Sequence, residues 1–343
     1  MNDSLENFRG ILANVAAGNA LSVAEAEHAF DIMMAGEATP AQMGGLLMGL
    51  RVRGETVDEI TGGARAMRAR ALKMDAPEGA IDTCGTGGDA KGTFNVSTGA
   101  AILSAACGVP VAKHGNRALS SKSGSADVLT ALGVNIDADM ALVREALFEA
   151  GIGFLMAPRH HGAMRHVAPT RVELGTRTIF NLLGPLSNPA GAKRQIIGVF
   201  DQAWAEPMAA VLRNLGSERV WVLHGSDGID ELTTTGPSTV VELKGGELRQ
   251  FEVTPEDAGL ARAVLDDIKG GDADANAKAM TEMLDGIPGP IRDIVLLNTA
   301  AALIVAERVE NLRDGVAMAA EAIDTGAARA TLNKLIEITN RPS

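Results

Sequence analysis

Residues 80–113 read AIDTCGTGGDAKGTFNVSTGAAILSAACGVPVAK, and this stretch decides the fold class. A short apolar run leads into a glycine loop, an alanine-rich helical pattern follows, and a second apolar run begins at Val109. Strand, helix and strand in that order are typical of a parallel sheet covered by helices. Further apolar runs continue the alternation at 153–156, 195–200 and 219–223. The sequence therefore predicts an α/β domain with a mostly parallel sheet.

The segment before this stretch has the pattern of a separate domain made only of helices. Three capping boxes, in which Ser or Thr precedes Glu or Gln by three residues, begin at Ser22, Thr39 and Thr56. A polar linker at 75–79 then separates residues 1–74 from the first predicted strand. We therefore expect a small helical domain ahead of the α/β domain.

The C-terminal part of the chain gives three weaker predictions. Residues 239–243 read Thr-Val-Val-Glu-Leu and predict a late strand, for which antiparallel pairing stays open. Residues 270–276 are predicted to form a short polar loop, and residues 291–340 have a helical pattern. No internal repeat is visible.

The composition excludes several classes of function. The 343 residues carry a formal net charge of −12, which disfavours non-specific binding to nucleic acid or to anionic membranes. The two cysteines, Cys84 and Cys107, exclude a disulfide framework and a cysteine-rich zinc site. No apolar run approaches the roughly 20 residues that span a bilayer. The first residues show no signal-peptide pattern, so we expect a cytoplasmic protein.

The glycine loop Gly85–Asp89 has the chemistry of an anion site. Glycines let backbone N–H groups approach a ligand, although the spacing matches neither a P-loop nor a dinucleotide fingerprint. A helix start with hydroxyl side chains follows at Asn95–Thr98, where unpaired N–H groups favour phosphate. Each element alone could be an ordinary turn or cap. Their proximity in the chain favours phosphate binding.

Three further motifs carry candidate ligand contacts. Lys113–Asp127 combines cations, hydroxyls and glycines in one loop, which is unusual in an acidic chain and favours phosphate contacts. Asp230 and Glu231 follow a predicted strand and could hold Mg²⁺, with a solvated acidic turn as the alternative. Arg171 could hold a carboxylate through two parallel hydrogen bonds, or it could be a surface arginine.

Three histidines lie in one basic stretch. His160, His161 and His166 alternate with Arg159 and Arg165. Their number suggests a metal site, but the spacing among the arginines favours a polar loop instead.

Together these motifs resemble the anthranilate phosphoribosyltransferase family. The resemblance is carried, in the family's order along essentially the whole chain, by residues 85–89, 95–98, 113–117, 123–127, 177–189 and 230–231. It implies transfer of the 5-phosphoribosyl group from phosphoribosyl pyrophosphate to anthranilate. The products would be N-(5-phosphoribosyl)anthranilate, an intermediate of tryptophan biosynthesis, and pyrophosphate.

The resemblance also implies the architecture of the nucleoside phosphorylase/phosphoribosyltransferase type. Residues 1–74, with a returning segment at about 169–189, would form the helical domain. Residues 80–168 and 190–343 would form the α/β domain. The family usually assembles as a homodimer through the helical domain.

Carried over residue by residue, the resemblance implies three sets of contacts. Ser97, Asp230 and Glu231 would hold Mg²⁺, with two ions expected. Gly85, Asn116 and Arg171 would contact anthranilate, with His114 beside it as a candidate proton acceptor or a purely structural histidine. The phosphoribosyl pyrophosphate contacts would be Gly85, Gly88, Asp89, Thr93, Asn95, Val96, Ser97, Thr98, Lys113, His114, Gly115, Asn116, Arg117, Ala118, Leu119, Ser120, Ser121 and Ser125.

Two other functions stay open at this point. A pyrimidine nucleoside phosphorylase would share the architecture, but its typical Lys-x-Ser-Gly-Arg loop stands here as Lys-His-Gly-Asn-Arg at 113–117. A nucleic-acid-binding relative without the activity would need a basic groove. The net charge of −12 and the intact Asp230 and Glu231 speak against that function.

Overall fold

The computed structural model describes residues 3–89, 91–118 and 122–342. All three predicted capping boxes are confirmed. The side chains of Ser22, Thr39 and Thr56 each accept a hydrogen bond from the backbone N–H of the third helical residue. The side chain of that residue accepts one from the backbone N–H of the cap. The apolar faces of the N-terminal helices pack into a common core that includes Phe8, Phe30 and the leucines of the third helix. The four N-terminal helices are α1 (Asp3–Ala16), α2 (Val23–Ala35), α3 (Pro40–Arg53) and α4 (Val57–Arg70).

A seven-stranded sheet follows, in the spatial order β3-β2-β1-β4-β5-β6-β7. The first five strands along the chain are parallel, and the last two are antiparallel. The predictions of a mostly parallel sheet and of a strand near residues 239–243 are therefore confirmed. The strands are β1 (Ile81–Gly85), β2 (Val111–Gly115), β3 (Ile152–Met156), β4 (Arg194–Gly198), β5 (Arg219–Gly225), β6 (Ser238–Lys244) and β7 (Glu247–Val253).

Helices cover both faces of this sheet. One face packs against the helices at 96–106, 290–305 and 327–339, and the helix at 312–324 packs on these helices. The other face packs against the helix at 205–214, which in turn contacts α4. No helix in the described part of the chain is long and apolar enough to cross a membrane. The remaining helices are α5 (Val96–Ala106), α6 (Ser125–Ala131), α7 (Met140–Glu149), α8 (Ala157–His160), α9 (Ala168–Leu174), α10 (Phe180–Leu183), α11 (Ala205–Asn214), α12 (Ala273–Leu284), α13 (Pro290–Val305), α14 (Leu312–Asp324) and α15 (Ala327–Thr339).

The segment from α9 to residue 187 leaves the sheet and packs against the N-terminal helices. Helix α9 contacts α3, while α10 and the 3₁₀ turn Pro185–Ser187 contact α4. Asn188, at the end of this segment, is buried and donates from Nδ2 to Oδ2 of Asp82 on β1 at 2.8 Å. The segment therefore connects the helical bundle to β1, the middle strand of the five parallel strands.

Three features differ from the sequence predictions. Residues 270–276 are not all loop, because α12 begins at Ala273 with the Asp272 side chain accepting from the N–H of Ala275. The basic stretch at 159–166 is not a polar loop, because it forms the end of α8 and the 3₁₀ turn Gly162–His166, and His160 and His161 are buried. Strand β7 was not predicted, because it is exposed along most of its length and has no apolar run.

Candidate active site

Four of the five parallel strands end in a glycine at the same edge of the sheet, namely Gly85, Gly115, Gly198 and Gly225. The chain runs outward from β1 to β3 and then returns to place β4 on the other side of β1. In open α/β sheets, ligands bind outside the carboxyl ends of the strands at such a reversal. Gly85 and Gly198 lie opposite each other at this point. The carboxyl ends of β1 and β4 therefore mark the candidate site.

Asp230 lies directly over these two glycines. A β-carbon at Gly198 would overlap the carbonyl oxygen of Asp230, and one at Gly85 would lie 2.5 Å from its Oδ2 atom. The N–H of Gly87 donates to the same Oδ2 at 2.9 Å. The bare strand ends thus let the acidic loop lie on the sheet with one carboxylate against the glycine loop.

Glu231 faces the start of α5. Its Oε1 accepts from the N–H of Ser97 at 3.0 Å, so the acidic pair is joined to the helix start that the sequence suggested for phosphate. Lys113, the middle residue of β2, is 2% exposed. Its Nζ lies 3.5 Å from Oγ of Ser97 and donates to the carbonyl of Thr83. The ammonium and both carboxylates therefore surround the N-terminus of α5.

The surroundings of this cluster favour the neutral form of its carboxyl groups. Burial raises the pKa of Asp230 to about 6, and the nearby Asp89 carboxylate adds to the shift. Burial and the neighbouring Asp230 raise the pKa of Glu231 to about 8. Burial also lowers the pKa of Lys113, although the surrounding acids oppose that shift. A cation bound between the carboxylates would relieve this repulsion.

The donor set fits a hard divalent cation that is shared with a substrate. Oδ2 of Asp89 is buried, and no residue that the structure describes forms a hydrogen bond with it. Within the described ranges, no three acidic, His or Cys side chains form a ready-made metal cluster. Mg²⁺ commonly binds through one or two carboxylates and completes its shell with water and substrate phosphates. Asp230 and Glu231 suit that arrangement, with phosphate oxygens supplying the remaining ligands.

The loop after β2 is organised by Asp127. Its Oδ2 accepts from the N–H groups of Ala118 and Gly124 at 2.8 and 2.9 Å, and its Oδ1 pairs with Arg117 at 3.3 Å. These hydrogen bonds hold the pKa of Asp127 below its usual range. Asp127 thereby ties Ala118 to Gly124 at the start of α6.

Arg171 lies on α9 with its guanidinium over a ring. Its Cζ atom is 5.4 Å from the centroid of Phe180, and burial lowers its pKa. Among the described residues, no side chain or carbonyl forms a hydrogen bond or an ion pair with this guanidinium. A half-buried, unpaired arginine can receive a carboxylate through two parallel hydrogen bonds.

Arg177 joins the same segment to the glycine loop. Its Nη2 donates to the carbonyl oxygen of Gly88, and its guanidinium lies 4.1 Å from the ring centroid of Phe200, just after β4. The N–H of Phe200 in turn donates to Oγ1 of Thr86 at 3.0 Å. The glycine loop is thus held from outside the sheet by one arginine.

Comparison with known proteins places this site in a family. The glycosyl transferase family model for the a/b domain matches residues 77–329, and the model for the helical bundle domain matches residues 9–71. An anthranilate phosphoribosyltransferase of Azospirillum brasilense is 66% identical over 336 residues, which is 98% of this chain and 94% of that protein. The chain belongs to the anthranilate phosphoribosyltransferase family.

Solved structures of this family agree with the fold. The anthranilate phosphoribosyltransferase of Thermus thermophilus has a TM-score of 0.91 at 45% identity, covering 96% of this chain and 99% of that chain. The enzyme of Saccharomyces cerevisiae in complex with PRPP and Mg has a TM-score of 0.88 at 27% identity, covering 97% of each chain. The helical bundle followed by a mostly parallel sheet is therefore the architecture of the family.

The residues that the phosphoribosyltransferase resemblance implies lie in two zones. The inner zone surrounds the ends of β1 and β2. It contains Gly85, Gly88, Asp89, Val96, Ser97, Thr98, Lys113, Asp230 and Glu231.

The outer zone is the rim formed by the loops. Asn95 donates from Nδ2 to the carbonyl of Ser123, and Thr93 pairs with Lys269 in an isolated bridge. Ser125 donates from Oγ to the carbonyl of Asn116 at 3.4 Å, next to Gly115. The Arg117 side chain and the N–H of Ala118 both donate to the Asp127 carboxylate. Leu119, Ser120 and Ser121 lie outside the described residues.

His114 is buried beside a second imidazole. The rings of His114 and His161 meet edge to face with their centroids 5.1 Å apart. Burial lowers the pKa of His114 to about 3 and that of His161 to about 4, with neighbouring histidines adding to both shifts. Both rings are therefore neutral at physiological pH. Nε2 of His114 is buried, and none of the described residues forms a hydrogen bond with it.

Sequence reasoning missed the residues that hold the acidic loop. Asp227 accepts from the hydroxyls of Thr233 and Thr235, each at 2.7 Å. Asn298 on α13 binds both backbone groups of Leu232. The signal for Asn298 was present in the sequence, because it is a lone amide within the apolar run of α13.

Proposed function

We propose that the chain transfers the 5-phosphoribosyl group of phosphoribosyl pyrophosphate to the amine of anthranilate, releasing pyrophosphate. The observation that carries the proposal is the Asp230–Glu231 pair, held against the glycine loop and the N-terminus of α5 with Lys113 beside it. A buried acidic pair facing a lysine at a glycine loop and a helix N-terminus is suited to a metal-bound diphosphate. The activity of the named relatives supports the same reaction.

The pyrophosphate would lie between the glycine loop and the start of α5. There, backbone N–H groups and Lys113 stabilise the negative charge that grows as the bond to the anomeric carbon breaks. Bound Mg²⁺ would neutralise part of that charge, and we assign it to Asp230, Glu231 and Ser97, with two ions as the expected number. No covalent enzyme intermediate is required.

Anthranilate would enter from the side of α9. Arg171 would hold its carboxylate and so fix the direction of the amine, with Asn116 and Gly85 as the other anthranilate contacts. The amine of anthranilate is neutral near pH 7 and attacks without prior deprotonation. Neutral His114 could hydrogen-bond to the bound substrates, while its pKa, lowered by burial to about 3, disfavours a role as the acceptor of the proton released after attack.

The proposal extends to domains, assembly and location. Residues 1–74 with about 169–189 would form one domain, and residues 80–168 with 190–343 the other; the contacts of α9 and α10 with α3 and α4 support this division.

Val52 on α3 and Val172 on α9 are 82% and 81% exposed, and they support a homodimer through the helical domain. Sedimentation equilibrium would measure the dimer. Two free cysteines suit the reducing cytoplasm.

The direct test mixes the protein with anthranilate, phosphoribosyl pyrophosphate and Mg²⁺ and follows the fluorescence of anthranilate. We expect the signal to fall and pyrophosphate to appear in equal amount. The double variant Asp230→Asn, Glu231→Gln should fold, turn over slowly and require a different Mg²⁺ concentration. An unchanged signal with wild-type protein would refute the proposal. Phosphorolysis of thymidine and a DNA gel shift at moderate salt, the two alternatives, should both be negative.

A further inference from the structure

Helix α13 is the most deeply buried helix near the site, and one polar residue in its middle stands out. From Ile294 to Val305 every residue is buried, and nearly all are apolar. Asn298 is 2% exposed within this run. A buried amide costs free energy unless all its hydrogen-bonding groups are satisfied, so its bonds indicate its role.

The amide of Asn298 grips one residue of the acidic loop in both directions. Its Oδ1 accepts from the N–H of Leu232 at 3.0 Å, and its Nδ2 donates to the carbonyl of Leu232 at 2.9 Å. Nδ2 also donates to the carbonyl of Ile294 at 2.9 Å on its own helix. The Asn298 side chain thus pairs with both backbone groups of Leu232, as a neighbouring strand would. Leu232 directly follows Glu231 in the chain.

The same helix also fixes the other half of the site. A β-carbon at Gly99 on α5 would lie 3.0 Å from Cγ1 of Val295, so the two helices approach almost to backbone contact. Helix α5 begins with Val96 and Ser97, and the N–H of Ser97 donates to Glu231. Adjacent turns of α13 therefore set the positions of both the donor N–H and the acceptor carboxylate.

We propose that Asn298 is a positioning residue for the metal–diphosphate site: its amide anchors Leu232 to α13 and thereby aims the Asp230–Glu231 carboxylates. This inference rests on the proposed function, because it assigns the carboxylates to a metal-bound diphosphate. It adds a residue outside the site, which touches neither substrate nor metal. Residues that orient metal ligands from behind typically contribute about 10- to 100-fold in metal affinity.

The matched control is the next residue of α13. Thr299 is fully buried like Asn298, but its Oγ1 donates only to the carbonyl of Val295 on the same helix, at 2.7 Å. Thr299→Val removes a buried hydrogen bond without touching the acidic loop. Asn298→Leu removes the whole grip, and Asn298→Ser keeps a small polar group. Thermal unfolding followed by circular dichroism establishes which variants fold.

The experiment measures pyrophosphate binding by calorimetry with and without Mn²⁺, an oxygen-seeking substitute for Mg²⁺. The ratio of the two dissociation constants is the metal-dependent gain. We expect this gain to fall about tenfold or more in both Asn298 variants and to stay within about twofold of wild type in Thr299→Val. If Asn298→Leu does not fold, Asn298→Ser provides the test.

Two results would overturn the inference. One is a wild-type gain in the folded Asn298 variants, and the other is an equal loss in Thr299→Val, which would mean that general packing of α13 is responsible. A wild-type protein with no metal-dependent gain would instead overturn the proposed function, and the inference with it.

Discussion

The backbone carbonyl of Asp230 lies against the α-carbon of Gly198, so closely that no β-carbon fits between them. Gly198 is the last residue of β4, and it pairs with Gly85 at the end of β1. The acidic loop after β5 therefore lies on the strand ends themselves. This contact couples the sheet to the carboxylates that we assign to the metal and the diphosphate.

Replacing Gly198 with alanine should displace this loop. The added methyl group would overlap the Asp230 carbonyl, and a shift of about 1 Å in a catalytic group can cost on the order of 100-fold in rate. We expect kcat to fall by about that factor, with a loss of about 1–3 kcal/mol in the free energy of unfolding. Turnover and denaturant unfolding would measure both.

Gly10 on α1 provides the control for that variant. A β-carbon at Gly10 meets nothing within 4 Å, so Gly10→Ala should leave turnover unchanged and stabilise the helix by about 0.5–1 kcal/mol. Normal turnover in Gly198→Ala would show that the contact does not set the site.

Arg171→Ala should raise the apparent KM for anthranilate far more than that for phosphoribosyl pyrophosphate. A charged hydrogen-bonding pair lost from a half-buried position costs about 1.5–3 kcal/mol, which corresponds to about tenfold or more in KM. Steady-state kinetics with each substrate varied in turn measures the split. Equal increases in both KM values would remove the carboxylate assignment.

Arg177→Ala should give the opposite split. Losing its hydrogen bond to the Gly88 carbonyl frees the glycine loop, so we expect the KM for phosphoribosyl pyrophosphate to rise about tenfold. The KM for anthranilate should change by less than about threefold. The Arg171 variant is the natural comparison, and a larger effect of Arg177→Ala on anthranilate would contradict this role.

The buried histidines predict a specific loss of stability in acid. The pKa of His161 is lowered from its ordinary value of 6.5 to about 4, so between these pH values the unfolded chain binds a proton that the folded chain does not. Stability therefore falls as pH drops through that window. His161→Gln should remove up to about 3 kcal/mol of this decrease.

Denaturant unfolding at pH 7 and pH 4.5 would measure that difference. The exposed His28 supplies the control, since His28→Gln should follow the wild-type pH dependence. Parallel curves for His161→Gln and wild type would show that His161 is protonated in the folded protein.

Much of the architecture was visible in the sequence because it depends on local signals. The capping boxes at Ser22, Thr39 and Thr56 fix helix starts through neighbouring side chains alone. The buried parallel strands read as apolar runs, since both of their faces are covered. Strand β7 carries no such run, and only the glycine pair Gly245–Gly246, which turns the hairpin with positive φ at both residues, announces it.

The candidate site was predictable in its motifs but not in its supports. The glycine loop, the start of α5 and Asp230–Glu231 each carry recognisable chemistry in a few adjacent residues. Asn298 and Leu232 are 66 positions apart in the chain, and their pairing follows from tertiary packing alone. The burial of His160 and His161 likewise involves distant residues, namely the Leu72 carbonyl beside Nδ1 of His160 and the His114 ring against His161. A basic local sequence does not reveal these contacts.

The central claim is tested most directly by a crystal structure of the protein with phosphoribosyl pyrophosphate and Mg²⁺. The account predicts the diphosphate between the Gly85–Asp89 loop, the N-terminus of α5 and Lys113. It also predicts Mg²⁺ bound to Asp230 or Glu231, either directly, at about 2.0–2.1 Å from a carboxylate oxygen, or through one bridging water. A diphosphate bound elsewhere, with the acidic pair facing solvent and no metal, would contradict it.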